Sequence, residues 1–246
     1  MTDSSQYDAL FSGVIGQDYD TLNLICPLAT KMSRLVGGVA GEYAAQSPDK
    51  LTLIELGGGT GITTLALLTA SDKFNILSID NEPVMQEQAK KHLHSWAVQG
   101  RLAFCGDDAL TALKNSTADS VDIVATAYTL HNLLDTYRNE VIQEIFRILK
   151  PGGLFINGDR YGLDDVSLHT RTIQHEVSGY FKVLTQIGKL DALEHWIVHL
   201  FSDESENHVM RESVALKQLQ NAGFSNIKLA HRHEVNALVT AIKPRL

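Results

Sequence analysis

Cysteine is scarce: two residues, Cys26 and Cys105, occur in 246 positions, far apart and in no metal-like spacing. That excludes a disulfide framework and fits a reducing cytoplasmic compartment. Basic residues are in the minority too. Lys and Arg number 21 against 29 Asp and Glu, a formal net charge of −8, which disfavours an extended phosphate-binding surface and so nucleic acid as a partner. No apolar run approaches the ~20 residues that span a bilayer, and the polar, acidic segment Met1 to Leu10 has no basic n-region or apolar h-region. No repeat, low-complexity tract or Pro/Gly-rich linker divides the chain. The expectation is a soluble cytoplasmic protein, residues 1–246 forming a single domain, with no membrane segment.

What is present is ordinary globular composition, 44% hydrophobic and 20% charged, enough for a sizeable core. Short β-type runs alternate with longer helical patterns, the mark of a parallel α/β sheet. Strands are expected at Leu51–Leu56, Phe74–Ile79, Arg101–Phe104, Val121–Ala127 and Gly153–Asn157. Helices are expected at Ile62–Ala70, Pro83–Val98, Ala109–Lys114 and Thr136–Leu149, with Pro83 at a tolerated first-turn position and Lys150-Pro151-Gly152-Gly153 as a stop. After a helix over Val209–Asn221, the runs Asn226–Arg232 and Val235–Ile242 are separated only by a turn at Glu234, too short for a crossover, so they pair antiparallel. Residues 1–46 read as a helical cap, with Leu22, Ile25, Ala29, Met32 and Val36 three to four apart. Residues 161–208 form an insert that holds five of the ten histidines; such segments cover the strand ends where open α/β sheets bind ligands.

Three acidic residues close successive strands. In Leu53-Ile54-Glu55-Leu56-Gly57-Gly58-Gly59-Thr60-Gly61 a strand runs into a glycine loop and a helix, and glycines let a ligand approach the backbone closely. A Walker Lys-Ser/Thr ending is absent, which argues against a triphosphate loop. The dinucleotide fingerprint wants a third glycine where Ile62 and Thr63 stand, which counts against an NAD oxidoreductase. Glu55, just before the loop, suits a cationic ligand better than a pyrophosphate. Asp80, in Leu77-Ser78-Ile79-Asp80-Asn81, can accept two ribose hydroxyls. In Cys105-Gly106-Asp107-Asp108-Ala109 an acid can accept an adenine amino group, or cap the next helix, the alternative kept for Asp108.

These motifs, together with Leu149-Lys150-Pro151-Gly152-Gly153, resemble the class I S-adenosylmethionine-dependent methyltransferases over residues 50–160, and by pattern over 209–246. The resemblance implies a Rossmann-like, seven-stranded, mostly parallel sheet with a C-terminal antiparallel hairpin, and S-adenosylmethionine as cofactor. It implies that Glu55, Gly57, Gly58, Gly59 and Gly61 hold the methionine portion. Asp80 with Asn81 would hold the ribose, Asp107 with its neighbour Asp108 the adenine, and Ala127 would pass under the methionine. A looser local likeness, to carboxy-S-adenosylmethionine synthase, rests on Gln17-Asp18-Tyr19-Asp20, Ile79–Met85 and Tyr128-Thr129-Leu130. It makes Tyr19 a candidate to close over the cofactor's amino-acid end. That family grips an extra carboxylate with an arginine of the insert, and Gln174–Leu200 has Lys182 and Lys189 but no arginine.

Methyl transfer is an in-line displacement in which the protein aligns donor and acceptor and excludes water. His131, just past the fourth strand, stands where a transferable methyl would point and can act as a base; packing beside the next helix is the other reading. His195 and His199 sit four apart, a chelating spacing, but with no third ligand they read as one face of an amphipathic helix, so no metal is expected. Asp159-Arg160-Tyr161 would contact the acceptor or end the strand. The expected function is methyl transfer to a small-molecule acceptor, the alternatives being carboxy-S-adenosylmethionine synthesis or a non-catalytic cofactor-binding protein.

Overall fold

The computed structural model describes Asn23 and residues 27–245. Among them the elements run α1 (Pro27–Ala45), β1 (Leu51–Leu56), α2 (Ile62–Ala70), β2 (Phe74–Ile79), α3 (Pro83–His92), α4 (His94–Val98), β3 (Leu102–Cys105), α5 (Ala109–Asn115) and β4 (Val121–Ala127). A 3-10 turn (Leu130–Asn132) leads into α6 (Asp135–Ile148), β5 (Leu149–Arg160), α7 (Val166–Gln186), α8 (Leu190–Asp203), α9 (Glu212–Ala222), β6 (Ser225–His233) and β7 (Asn236–Ile242).

The sheet has the order β3-β2-β1-β4-β5-β7-β6. Strands β1 to β5 pair in parallel, while β7 is antiparallel to both β5 and β6. The expected seven-stranded sheet with a reversed C-terminal hairpin is therefore what the chain forms. Strands β1, β2 and β4 have their expected bounds; β5 is longer at both ends. The single helix expected over Pro83–Val98 is broken at Leu93, which leaves helical geometry at φ −106°, ψ 15°. Leu93 is fully buried, and a side chain at Gly61 would lie 2.8 Å from it. Packing against the loop outweighs continuity of the helix.

Alternation along the strands feeds two cores. Leu51 and Leu53 of β1 join α1 and α2 on one face, with Met32, Val36, Leu65 and Phe74. Ile54 and Leu56 face the other way, toward Val141, Ile145 and Leu219 of α6 and α9. A third, smaller cluster of Tyr180, Leu184, Leu193 and Leu200 holds α7 against α8, so residues 161–208 fold as a helical pair with its own core. No helix of the described residues is long and apolar enough to cross a membrane.

Candidate functional site

In open α/β sheets ligands bind beyond the carboxyl ends of the strands where the order reverses, here between β1 and β4. The β1–α2 loop sits at that point. Gly57, Gly59 and Gly61 have φ of +70°, +53° and +98°, a region that side chains rarely occupy. The first two loop glycines are also required by packing. A Cβ at Gly57 would fall 2.0 Å from Thr129 Oγ1, and one at Gly58 2.1 Å from Ser78 Oγ, whereas Gly59 has open space beside it. The loop is pressed onto the strand ends on its inner side and open on its outer side.

The three strand-end acids take different places. Asp80 Oδ2 accepts a 2.7 Å hydrogen bond from the Gly59 N–H, and Oδ1 one of 2.8 Å from Glu82, which clamps the loop tip to β2. An ionised carboxylate has about four acceptor sites, so two are left for a ligand's hydroxyl pair. Gln86 ties the β2 and β3 ends together, donating to the carbonyls of Asp80 and Cys105. Asn81 and Asp107 are at the surface beside them. Asp108 is the N-cap of α5, accepting from Thr111 N and the Tyr137 hydroxyl. Those Thr111 and Tyr137 bonds hold its carboxyl down to about 2. Capping, the alternative kept for it, is what Oδ1 does here.

Glu55 needs a larger correction. Its side chain alternates onto the α2 face of β1, is fully buried, and accepts a 2.6 Å hydrogen bond from Thr64 Oγ1. It underpins the loop from behind and has no surface through which to touch a ligand directly. Gly61 is the left-handed cap of α2. Tyr19 lies outside the described residues.

The crevice opens into a cavity of about 280 Å³, lined by Gly57, Gly58 and Gly59 of the loop, Ala127 and Tyr128 at the end of β4, and Tyr180, Trp196 and Leu200 from the helical pair. Tyr128 has φ +50°, strained for a bulky residue at a typical cost of ~1–3 kcal/mol. Its hydroxyl donates to Asn236 Oδ1 at 2.5 Å, holding the ring against the edge of His131.

His131 has a partner that sequence spacing could not reveal. Its Nδ1 lies 2.5 Å from Asp159 Oδ1 on β5. Asp159 is fully buried and also accepts from the Leu130 and Arg160 N–H groups. Burial alone would raise the Asp159 carboxyl, but the His131 ring and these bonds outweigh it and hold it below its ordinary value. The Asp159 contact orients the His131 ring through Nδ1 and leaves Nε2 on the side of the cavity. Nε2 lies 3.6 Å from Asp203 Oδ2, and His199 Nε2 lies 3.6 Å from the same oxygen. His195 stacks on His199 at 6.5 Å and meets the Trp196 ring edge-on at 6.3 Å.

Arg160 follows on β5 and also lines the cavity, but its guanidinium is occupied. It makes a bidentate pair with Glu176 at 2.7 and 3.1 Å and reaches Glu204 at 3.2 Å. Burial would lower its pKa, yet the two glutamates hold it above its ordinary value.

These residues fit an adenosine-bearing cation: spare carboxylate acceptors at the β2 tip, an acidic rim at β3, and loop glycines leaving the backbone bare. The reversed hairpin, and a helix start without the dinucleotide glycine, separate the fold from NAD enzymes. Its class is the class I S-adenosylmethionine-dependent methyltransferases, and its cofactor is S-adenosylmethionine. Within that class the chain belongs to the ubiE/COQ5 methyltransferase family, whose profile matches residues 2–243. It is similar to the carboxy-S-adenosyl-L-methionine synthase of Pseudoalteromonas atlantica, 26% identical over 212 residues, covering 85% of this chain and 81% of the relative. It is also similar to the demethylmenaquinone methyltransferase of Leptospira interrogans, 36% identical over 109 residues, covering 44% of this chain and 43% of that one. In fold it is similar to an O-methyltransferase family protein from Burkholderia thailandensis, with a TM-score of 0.67 and 17% identity over 94% of this chain. The chain spans 60% of that larger protein's length.

Proposed function

We propose that this enzyme methylates a small molecule held in the cavity between the glycine loop and the α7–α8 pair, and that it works in the cytoplasm. The observation that carries this reading is the cavity shared by the glycine loop and the α7–α8 pair, whose wall carries His131 with Asp159 bonded behind it. The surface charge and the two unpaired-by-spacing cysteines agree with a cytoplasmic enzyme that does not act on nucleic acid.

S-adenosylmethionine, when bound, supplies a methyl group activated on a sulfonium. The rest falls to this chain. Asp80 holds the ribose hydroxyls with its remaining lone pairs, helped by Asn81, while Asp107 accepts from the adenine amino group. Gly57, Gly58, Gly59 and Ala127 give the methionine portion a close backbone surface, and Glu55 supplies a negative group beneath it. The helical pair excludes water, and alignment of the two reactants is the main source of rate. His131, oriented by Asp159, takes the acceptor's proton at Nε2, as a nitrogen base held by a carboxylate does in other enzymes.

Calorimetry with S-adenosylmethionine, and transfer of a labelled methyl group to small-molecule extracts, test this reading. Binding with no transfer to any extract would leave a cofactor-binding protein instead. Asp80→Ala removes both the loop clamp and the ribose contact. Cofactor affinity should fall by roughly 10–150-fold, equivalent to about 1.5–3 kcal/mol; an unchanged affinity would put the ribose elsewhere.

A second reading, carboxy-S-adenosylmethionine synthesis, is favoured by the length of the alignment with those synthases, 85% of the chain against 44% for the quinone-type relative. Against it, the cavity's Arg160 is already neutralised by Glu176 and Glu204. Mass spectrometry of the cofactor after turnover separates the two, because only the second adds a carboxylate to it.

A further inference from the structure

Two imidazoles and a carboxylate from separate parts of the chain meet at the cavity wall. The nitrogens or oxygens of His131, His199 and Asp203 that would act as ligands lie within 4.8 Å of one another. We propose that these three side chains bind a divalent first-row transition metal, of the zinc, cobalt or iron(II) class, inside the acceptor cavity.

The chemistry of the set argues for this class. Two histidines and one carboxylate with open positions are the ligands of catalytic zinc and of non-haem iron(II), whereas magnesium and calcium prefer all-oxygen sites. The spacing agrees. Donors ~2.0–2.2 Å from one ion at near-tetrahedral angles lie roughly 3.3–3.6 Å apart, and both histidines stand 3.6 Å from Asp203 Oδ2. That distance is too long for a hydrogen bond. Small rotations of the half-exposed His199 ring would close the remaining gap. His199 and Asp203 are four apart on α8 and therefore share a face. Asp203 and His131 are both nearly buried, with side chains 7% exposed.

The surroundings are arranged as a metal site requires. Asp159 accepts a hydrogen bond from the Nδ1–H of His131, which is how a ligating histidine is oriented and made more basic in metalloproteins. All three candidate ligands line the cavity, so the ion's free positions would face the acceptor. There it would polarise an acceptor oxygen, which makes the acceptor class a molecule presenting a hydroxyl or carbonyl to the metal. This role rests on the methyl-transfer reading; the binding site itself does not. With the ion in place His131 is a ligand through Nε2, and proton removal by its lone pair is superseded.

The test uses the full chain, stripped with chelator and titrated with Co²⁺ alone, reading visible d–d absorption. One Co²⁺ per chain should bind, His199→Ala and Asp203→Ala should abolish the band, and Asp159→Asn should weaken binding by roughly 10–100-fold. His195→Ala, one turn away and outside the cluster, should bind as the parent does. His199 is half-exposed, so its variant keeps the test open should the His131 or Asp159 variants fail to fold. No saturable band, or a band that survives in folded His199→Ala and Asp203→Ala, would overturn the site. S-adenosylmethionine calorimetry on the same stripped chain keeps the two readings apart: cofactor binding without Co²⁺ binding sinks the metal site alone, and the reverse sinks methyl transfer alone.

Discussion

At Glu55, burial pushes the carboxyl up to about 7; hydrogen bonds from Thr64 and Ser78 pull against this, and the charge of Asp80 adds to it. The unfolded chain ionises near 4.5, so between about 4.5 and about 7 the folded protein keeps a proton that the unfolded one has lost. Stability therefore falls as pH rises through that window and is flat, with respect to this group, above it. The loss is on the order of 3 kcal/mol. Glu55→Gln, which can keep a hydrogen bond with Thr64, should flatten the profile of melting temperature between pH 5 and 8 and raise it at the alkaline end. An unchanged slope would mean that the group ionises freely. A cation above the loop favours the carboxylate, so cofactor binding near pH 6.5 should release protons, seen as a binding enthalpy that varies with buffer. Side-chain direction separates what the sequence disclosed here from what it hid. The glycine loop and the strand-end acids were legible because local chemistry fixes them. That Glu55 alternates inward, and that Asp108 caps a helix, depends on register and on Tyr137, 29 residues away. The His131–Asp159 and His131–Asp203 approaches are set by strand pairing and by the fold of α8, which no spacing encodes.

Helices α1 and α2 pack with almost no side chain between them. A Cβ at Gly37 would sit 2.7 Å from the Ala66 carbonyl oxygen, and one at Gly41 3.1 Å from that of Ala70. This contact holds α1 over the loop side of the sheet, where Ser33 meets Thr63 at 2.9 Å. Gly37→Ala sets two effects against each other: helix propensity favours alanine by ~1 kcal/mol, while overpacking against a backbone atom costs ~1–3 kcal/mol. The clash should win, with a net destabilisation of up to about 2 kcal/mol in urea. Gly38→Ala, whose Cβ meets nothing within 4 Å, should show the propensity gain alone. If both variants were stabilised, the helices would not be in backbone contact. Of the helical cap expected over residues 1–46, the described part, α1, was visible in the spacing of Ala29, Met32 and Val36, but the glycine face was not, because a glycine's value at a contact depends on what lies opposite. The break at Leu93 was missed for the same reason: nothing in Pro83–Val98 interrupts a helical pattern, and the cause is the glycine loop packed against it.

On the scale of the whole molecule, the sheet with its flanking helices and the α7–α8 pair are two bodies with separate apolar cores. Their junction is largely polar. Arg160 on β5 grips Glu176 of α7 and Glu204 at the end of α8, and His169 of α7 meets Glu204 at 2.6 Å. Removing one member of a shielded ionic group leaves the others desolvated and unpaired, which costs ~3–5 kcal/mol in comparable cases. Arg160→Met should spend that cost on the junction and spare the sheet, whose own core Arg160 does not build. The two tryptophans allow this to be seen directly: Trp96 packs on the sheet's core and Trp196 on that of the helical pair. In urea titrations of Arg160→Met, Trp196 fluorescence followed in a Trp96→Phe background should change at lower denaturant than Trp96 fluorescence in a Trp196→Phe background. Both should coincide when Arg160 is present. Coincident transitions in Arg160→Met as well would make the chain one cooperative unit. Separated transitions would mean that the helical pair can open without loss of the cofactor crevice, the property an enzyme needs when acceptor and product must pass beneath it.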